Sequence, residues 1–329
     1  MNNVYFIILC GGSGTRLWPL STKNCPKQLI PFISNKTLLE DTIDRISHIS
    51  EKKYIGISTT KEQSKLIPNH IKEKIGFTIE EPVPRNTGPS ILYSCFEIFK
   101  KDKNSICVFI ASDHYIPEIE KYCSSLSTAI NHAKTNNTII NLGLMPKCAA
   151  TGYGYIQTNP EKIESGKIYP VKKFHEKPNL HKAEQYLKQK NMLWNIGMFI
   201  GKTTSFIREF EIHAPEIYSA IKNINYKNSP NISIDYAVME KSKNISVFPC
   251  DFQWNDVGNL KTFLEIQQKH QKENSQIINI DSKNNLVKSR KKIVTFIGVE
   301  NLCVVETDDT ILISKINNVE KVKEVQNIS

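Results

Sequence analysis

The sequence predicts an α/β protein with a mostly parallel sheet, followed by a small β-rich module. Three observations carry this. From Val4 to His270, strand-like apolar runs alternate with helical patterns, as they do where helices cover a mostly parallel sheet. The first run breaks into Gly11-Gly12-Ser13-Gly14, glycines placed where a parallel strand meets a ligand. After Lys272 the pattern becomes short β-like runs separated by Asn, Asp or Gly. A chain of 329 residues can bury one large core and a satellite, so residues 1–272 and 273–329 are the expected domains.

Each element has its own signal. Val4–Cys10 is apolar and rich in β-formers, too short to span a membrane, and reads as a buried strand. Thr37-Leu38-Leu39-Glu40 reads as a capping box, with Leu39, Ile43 and Ile46 on one face of the helix it starts. Tyr54–Ser58 is a short strand. Thr87-Gly88-Pro89 opens a helix with proline in its first turn and Ile91, Leu92, Cys95, Phe96 and Phe99 on its buried face. Ser105–Ala111 is an apolar run ending at Ser112-Asp113-His114, and Thr138–Leu144 is a further strand. Ligands of such sheets bind outside the carboxyl ends of strands, where Gly11–Arg16 and Asp113 fall. In the last segment the strands are Ile277–Ile280, Leu286–Lys288, Ile293–Ile297, Leu302–Glu306 and Ile311–Ser314, with no repeat of fixed period evident.

Composition narrows the class. Hydrophobic content of 40% and charged content of 23% are ordinary for a soluble globular protein. The net charge of +10 suggests nucleic acid, but only five of the 43 cations are arginine, the usual reader of bases. Two of the five, Arg16 and Arg85, stand in motifs that suit a small anionic ligand. The eight cysteines form no close pairs and no zinc spacing. The N-terminus shows no basic segment with a cleavage site. These features predict a cytoplasmic protein with no nucleic-acid or membrane partner.

The glycine loop is selective about its ligand. A P-loop needs Lys and then Ser or Thr after its last glycine, but Thr15-Arg16-Leu17 follows Gly14. The dinucleotide fingerprint needs Gly or Ala where Leu17 stands. Instead, Arg16 follows the glycines and Lys27 sits within Pro26-Lys27-Gln28. Gly11, Gly12, Gly14, Thr15, Arg16 and Lys27, in that order, resemble the signature of the sugar-1-phosphate nucleotidyltransferases. Leu17-Trp18-Pro19-Leu20-Ser21 narrows the resemblance to the mannose-1-phosphate guanylyltransferases.

The resemblance runs along essentially the whole chain. Glu81–Pro89, with Arg85, Asn86 and Thr87, is similar to the segment that contacts the nucleoside, with Gly88 where Ala is usual. Ala111-Ser112-Asp113-His114 stands where Pro-Ala-Asp-His is usual. Thr151–Ile156 with Tyr153 and Gly154, Phe174–Pro178 with Glu176 and Lys177, and Trp194–Phe199 with Asn195 and Gly197 resemble sugar-phosphate segments. Asp235–Lys241 and Trp254–Gly258 complete the series. Ile196 replaces a usual Ser or Thr, and Asn259-Leu260 a common Ser-Trp. The resemblance implies a Rossmann-like nucleotidyltransferase domain with a C-terminal β-helix-like domain, in the form without a fused isomerase. It also implies a homodimer.

Its chemistry explains the residue types. A sugar phosphate with a second pKa of about 6 is largely ionised at neutral pH, so attack on the α-phosphorus of GTP needs no strong base. The task is to bring two polyanions together and stabilise charge on the departing pyrophosphate. Arg16 and Lys27 suit that catalytic work. Mg²⁺ suits few carboxylates plus phosphate oxygens, and the resemblance implies Asp113 and Asp256 as its ligands. The implied reaction joins GTP and α-mannose 1-phosphate into GDP-mannose and pyrophosphate. Other readings are the same transfer to another sugar phosphate, such as a heptose 1-phosphate, or a catalytically silent regulator that binds sugar nucleotide. Taken singly, Asp113 has an alternative reading as a helix cap and Asp256 as a turn residue, while Lys27 after Pro26 reads as a surface lysine. Trp194 and Phe199 read as packing residues, and His114 and His175 as core or supporting histidines.

Overall fold

The computed structural model describes residues 3–12, 14–33, 35–159, 163–164, 166–270, 277–289 and 292–325. The expected domain limit at Lys272 and Ser13 of the glycine loop lie outside them. Contacts gather the chain into two compact units whose limits do not follow chain order. The first comprises Met1–Gly11, Ile43–Ser112 and Ile116–Trp254; the second comprises Gly12–Thr42, Asp113–Tyr115 and Asn255–Ser329.

The first unit is built on β1 (Val4–Leu9), β2 (Ile55–Thr60), β3 (Phe77–Glu81), β4 (Ile106–Ala111), β5 (Ile139–Leu144), β6 (Gly154–Thr158), β7 (Tyr169–His175), β8 (Met192–Lys202) and β9 (Ile245–Cys250). Among the described residues these form one nine-stranded sheet in the order β3-β2-β1-β4-β8-β5-β9-β7-β6. β1 is parallel to β2 and β4, β2 to β3, and β5 to β9. β8 runs antiparallel to β4, β5 and β6, and β7 to β6 and β9. All strands except β7 and β8 therefore share one direction, as the alternating pattern predicts.

Burial explains the strands. Every residue of β2 and β5 is buried, which fits sheet strands covered on both faces. The helix Thr87–Lys101 buries Ile91, Leu92, Cys95 and Ile98, a single stripe at helical spacing. Phe96 and Phe99, expected on that face, are only half-buried; Ile98 takes the inward position between them. Burying one such aliphatic side chain contributes about 1.5–3 kcal/mol. Leu9 pairs with Ala111 across β1 and β4, so the glycine loop and Asp113 leave the sheet from neighbouring strand ends.

The second unit holds β10 (Ile277–Ile280), β11 (Leu286–Lys288), β12 (Val294–Ile297), β13 (Leu302–Glu306) and β14 (Ile311–Lys315), close to the bounds read from sequence. β10 pairs parallel with β12 and β11 with β13, while β14 closes antiparallel on β13. Ile277 stands opposite Val294, Lys283 opposite Glu300 and Leu286 opposite Cys303, a constant offset of 17 residues. This is the stacking of a β-helix, and it supplies a period that the sequence alone does not show. Asn284 and Asn301, one offset apart, both take the left-handed conformation that asparagine tolerates. Asn285 ties the turns together: its Oδ1 accepts from Leu302 N and its Nδ2 donates to Val299 O.

One apolar cluster organises this unit. Leu17, Ile30, Phe32 and Leu38 of the signature segment share it with Val257, Phe263, Leu264, Leu286, Cys303, Val305 and Val319. The capping box is present: Glu40 N donates to Thr37 Oγ1 at 3.2 Å, and Thr37 N donates to Glu40 Oε2 at 2.9 Å. None of the eight cysteines is in a disulfide. No helix among the described residues is long and apolar enough to cross a membrane.

Candidate active site

The chemistry-bearing residues fall into constellations within each unit. In the second unit the glycine turn comes first. Gly14 has φ +67°, and a Cβ there would lie 2.9 Å from Lys27 N, so only glycine fits without displacing the lysine backbone. Ser21 Oγ donates to Gly14 O at 2.5 Å and pins the turn. Gly12 and Arg16 are exposed and Thr15 is half-buried; Gly11, also exposed, ends the first unit's opening segment. Among the described residues the Arg16 guanidinium has no ion pair.

Lys27 is buried and gathers the cluster. Its Nζ lies 2.7 Å from Asp113 Oδ2 and donates to Asp256 O at 2.7 Å. An ammonium has three N–H donors, so one remains for a ligand. Burial would push the Asp113 carboxyl up, but the Lys27 and His114 charges overrule it and hold it below the usual carboxylate range. Two backbone hydrogen bonds between Tyr115 and Asn255, of 2.9 and 3.0 Å, bring the distant aspartate segments side by side. Gly258 N donates to Asp256 Oδ1, and Val257 N to Asn255 Oδ1. Val257 itself has φ +47°, a conformation that costs a β-branched residue about 1–2 kcal/mol. Its buried side chain anchors it in the apolar cluster.

In the first unit, Arg85–Thr87 leads into the helix Thr87–Lys101. Asn86 has φ +66°, and its Oδ1 accepts from Thr87 N at 2.8 Å. Thr87 Oγ1 accepts from Ile234 N at 3.1 Å. A Cβ on Gly88 would lie 2.6 Å from Ile232 O, which explains glycine where alanine is usual in the resembling segment. Arg85 directs Nε and Nη2 to Lys227 O, so its fork faces the protein.

The sugar-side residues do converge. The Glu176 side chain is buried, with Oε1 2.5 Å from Lys177 Nζ and Oε2 without a hydrogen-bond partner among the described residues. That oxygen stands 2.5 Å from where a Cβ on Gly154 would be, so glycine there makes room for it. Asn195 Nδ2 donates to Asp235 Oδ1 at 2.9 Å, and its Oδ1 accepts from Gly197 N and Asn141 Nδ2. Gly197 has φ +67°. Burial and the nearby Glu176 charge push the Asp235 carboxyl up to about 6. Burial would lower the Lys177 ammonium, but its bond to Glu176 overrules that and raises it. Tyr153 meets the rings of Trp194 and Trp254 edge-on, at 5.2 and 5.0 Å.

Some members of these constellations are not among the sequence-derived candidates. Asp235, Asn141 and the Tyr115–Asn255 pair orient the residues that are. Asp235 opens the Asp-Tyr-Ala-Val-Met-Glu-Lys segment, whose resemblance is a usable signal; Asn141 lies inside an apolar strand and has none.

Comparisons with known proteins divide the chain in sequence order, unlike the two interleaved contact units. Residues 5–273 match the family model described as Nucleotidyl transferase, and residues 275–327 match MannoseP isomerase/GMP-like beta-helix domain. Mannose-1-phosphate guanylyltransferase 2 of Escherichia coli O157:H7 is 32% identical over 349 residues, spanning 97% of this chain and 72% of that protein. Xanthan biosynthesis protein XanB of Xanthomonas campestris is 30% identical over 348 residues, spanning 99% of this chain and 73% of that protein. The crystal structure of mannose-1-phosphate geranyltransferase from Thermus thermophilus matches with a TM-score of 0.88 at 28% identity, covering 99% of each chain.

Proposed function

We propose, for a chain that belongs to the nucleotidyl transferase family and carries its GMP-like β-helix domain, that it transfers GMP from GTP to α-D-mannose 1-phosphate. The products are GDP-mannose and pyrophosphate. The observation that carries the reading is the Lys27 ammonium, buried between the Asp113 carboxylate and the Asp256 carbonyl beside the Gly14 turn. It is a fixed cation with one donor to spare, at the start of the short turn Lys27–Leu29 that packs against Gly14.

The reaction forms a bond from a sugar phosphate oxygen to the α-phosphorus and breaks the bond from that phosphorus to the bridging oxygen of pyrophosphate. The ionised sugar phosphate brings its own electron pair, so no side chain must remove a proton. Lys27, Arg16 and the Gly12 N–H supply positive charge to the triphosphate, an arrangement that works by positioning and preorganised electrostatics. Arg85–Thr87 is assigned to the nucleoside. Glu176, Asn195 and Lys177 are assigned to the sugar phosphate; the unpartnered Glu176 Oε2 is an acceptor suited to a hydroxyl.

Mg²⁺ fits the residues present. Two aspartates are held together by the Tyr115–Asn255 bridge, and Lys27 keeps Asp113 ionised. Among the described residues no group of three or more His, Cys, Asp or Glu forms an all-protein cage, so bound phosphates would complete the coordination. When bound there, the ion would neutralise phosphate charge.

Pyrophosphate release from a panel of nucleoside triphosphates against mannose, glucose, galactose and heptose 1-phosphates tests the assignment. GTP with mannose 1-phosphate is expected to give the highest kcat/KM. Preference for another sugar would move the acceptor assignment, and no release with any pair would make the chain a binder.

A further inference from the structure

We propose that Glu81 and Tyr226 position the segment Pro82–Thr87, and that Arg85 serves the nucleoside through this strap rather than by touching it. The inference rests on assigning Arg85–Thr87 to the nucleoside. Glu81 is the last residue of β3 and is buried. Among the described residues the partners of its carboxylate are hydroxyls alone. Oε1 accepts from Ser58 Oγ at 3.1 Å and Ser90 Oγ at 2.7 Å, and Oε2 accepts from Tyr226 OH at 2.6 Å. A carboxylate so buried, with no cation bonded to it, is costly, and an apolar group would stabilise the core as well. Its value therefore lies in what it orients.

Those partners surround the loop. Ser90 is in the first turn of the helix that Asn86 caps, and Ser58 lies on β2. Tyr226 packs its ring edge-on against Tyr93 of the same helix at 5.2 Å. The next residue, Lys227, offers the carbonyl that receives Arg85 Nε and Nη2. Ile232 O accepts from Gly88 N, and Ile234 N donates to Thr87 Oγ1. The loop is thus fastened before and after Asn86 to one stretch, 226–234, and Glu81 fixes the start of that stretch. Arg85 is committed to the same strap. Asn86, at φ +66° and ψ 179°, is held in a positive-φ extended conformation that is essentially glycine's, and this fastening sustains it.

The test compares binding of GTP, ATP, UTP, CTP and dTTP with that of inorganic triphosphate, for wild type, Glu81→Gln, Tyr226→Phe, Arg85→Ala and the Tyr226→Phe/Arg85→Ala pair. Glu209→Gln is the control, because Glu209 is an equally buried carboxylate, bonded to Ser242 and Asn244 and 3.4 Å from His213 Nε2, outside the strap. Tyr226→Phe keeps the measurement readable if Glu81→Gln does not fold. Tyr226→Phe is expected to weaken the preferred nucleoside triphosphate about tenfold and inorganic triphosphate by less than about twofold. The paired variant is expected to lose little beyond Arg85→Ala, since both changes release one loop. The KM for the sugar phosphate is expected to stay unchanged. Equal losses for nucleotide and inorganic triphosphate, no loss, additive losses, or the same effect from Glu209→Gln would overturn the proposal. If wild type prefers a nucleotide other than GTP, the GTP assignment fails and the comparison runs on the preferred one. If wild type binds no nucleotide more tightly than inorganic triphosphate, both fall.

Discussion

Lys27 is the residue on which most of the proposed chemistry converges. Removing its ammonium leaves the Asp113 carboxylate without its counter-charge and the triphosphate without a fixed cation. Lys27→Ala is expected to lower turnover by about 10²–10³, the cost of losing one preorganised transition-state donor; near-normal pyrophosphate release would remove Lys27 from the reaction. Asp235 gives a prediction of the opposite kind. Its folded-state pKa is raised from the ordinary 3.8 to about 6 by burial and by the neighbouring Glu176 charge. The native state therefore binds the proton more tightly than the unfolded chain does. The stabilisation is fully present below about pH 4 and is lost as pH rises through about 6. Asp235→Asn removes this dependence, so its melting temperature is expected to gain on wild type between those pH values and then hold a constant difference. A parallel pair of melting curves from pH 4 to 8 would contradict the shift.

At the scale of elements, the glycine turn shows how local conformation serves the site. Gly14→Ala places a methyl against the Lys27 backbone at a positive φ, so the turn and the lysine cannot both stay in place. A loss of about 1–3 kcal/mol in stability and a fall in kcat are expected; calorimetry and pyrophosphate release check both, and unchanged kcat would mean Lys27 tolerates displacement. Elements with periodic or capping signals were legible in the sequence. The capping box at Thr37–Glu40, the helix at Thr87 and the strands from Ile277 to Lys315 depend on neighbours in the chain, and local pattern reports such dependence. The aspartate pair was legible only through resemblance, because a Tyr115–Asn255 bridge across distant segments leaves no spacing to read. The antiparallel placement of β8 between β4 and β5 was illegible for the same reason. The 17-residue offset spans too few turns to register as a repeat, and its equivalent positions carry different side chains, such as Lys283 and Glu300.

For the whole molecule, the second unit joins residues far apart in the chain. The strands after Ile277 share their core with Leu17, Phe32 and Phe263, so removing them would strip apolar cover from the signature segment itself. Point substitutions are therefore the sound way to test the expected homodimer. Ile278, Ile280 and Ile297 stand exposed on β10 and β12, with Ile280 directly opposite Ile297, and Ile311 and Ile313 line the edge strand β14. Exposed isoleucines on open strand edges are suited to pairing with a second copy. A dimer is expected by light scattering at micromolar concentration, and Ile280→Lys with Ile297→Lys is expected to shift it towards monomer. A monomeric wild type, or a double variant that dimerises equally well, would contradict this.

Guanylyl transfer to mannose 1-phosphate would yield two products, and both can be followed in one reaction. Wild-type protein with GTP, α-mannose 1-phosphate and Mg²⁺ is predicted to give GDP-mannose and pyrophosphate in equal amounts. Lys27→Ala under the same conditions is predicted to give about 10²–10³ less of each. Wild-type protein that forms no GDP-mannose, while forming a different sugar nucleotide or none, would rule out guanylyl transfer to mannose 1-phosphate.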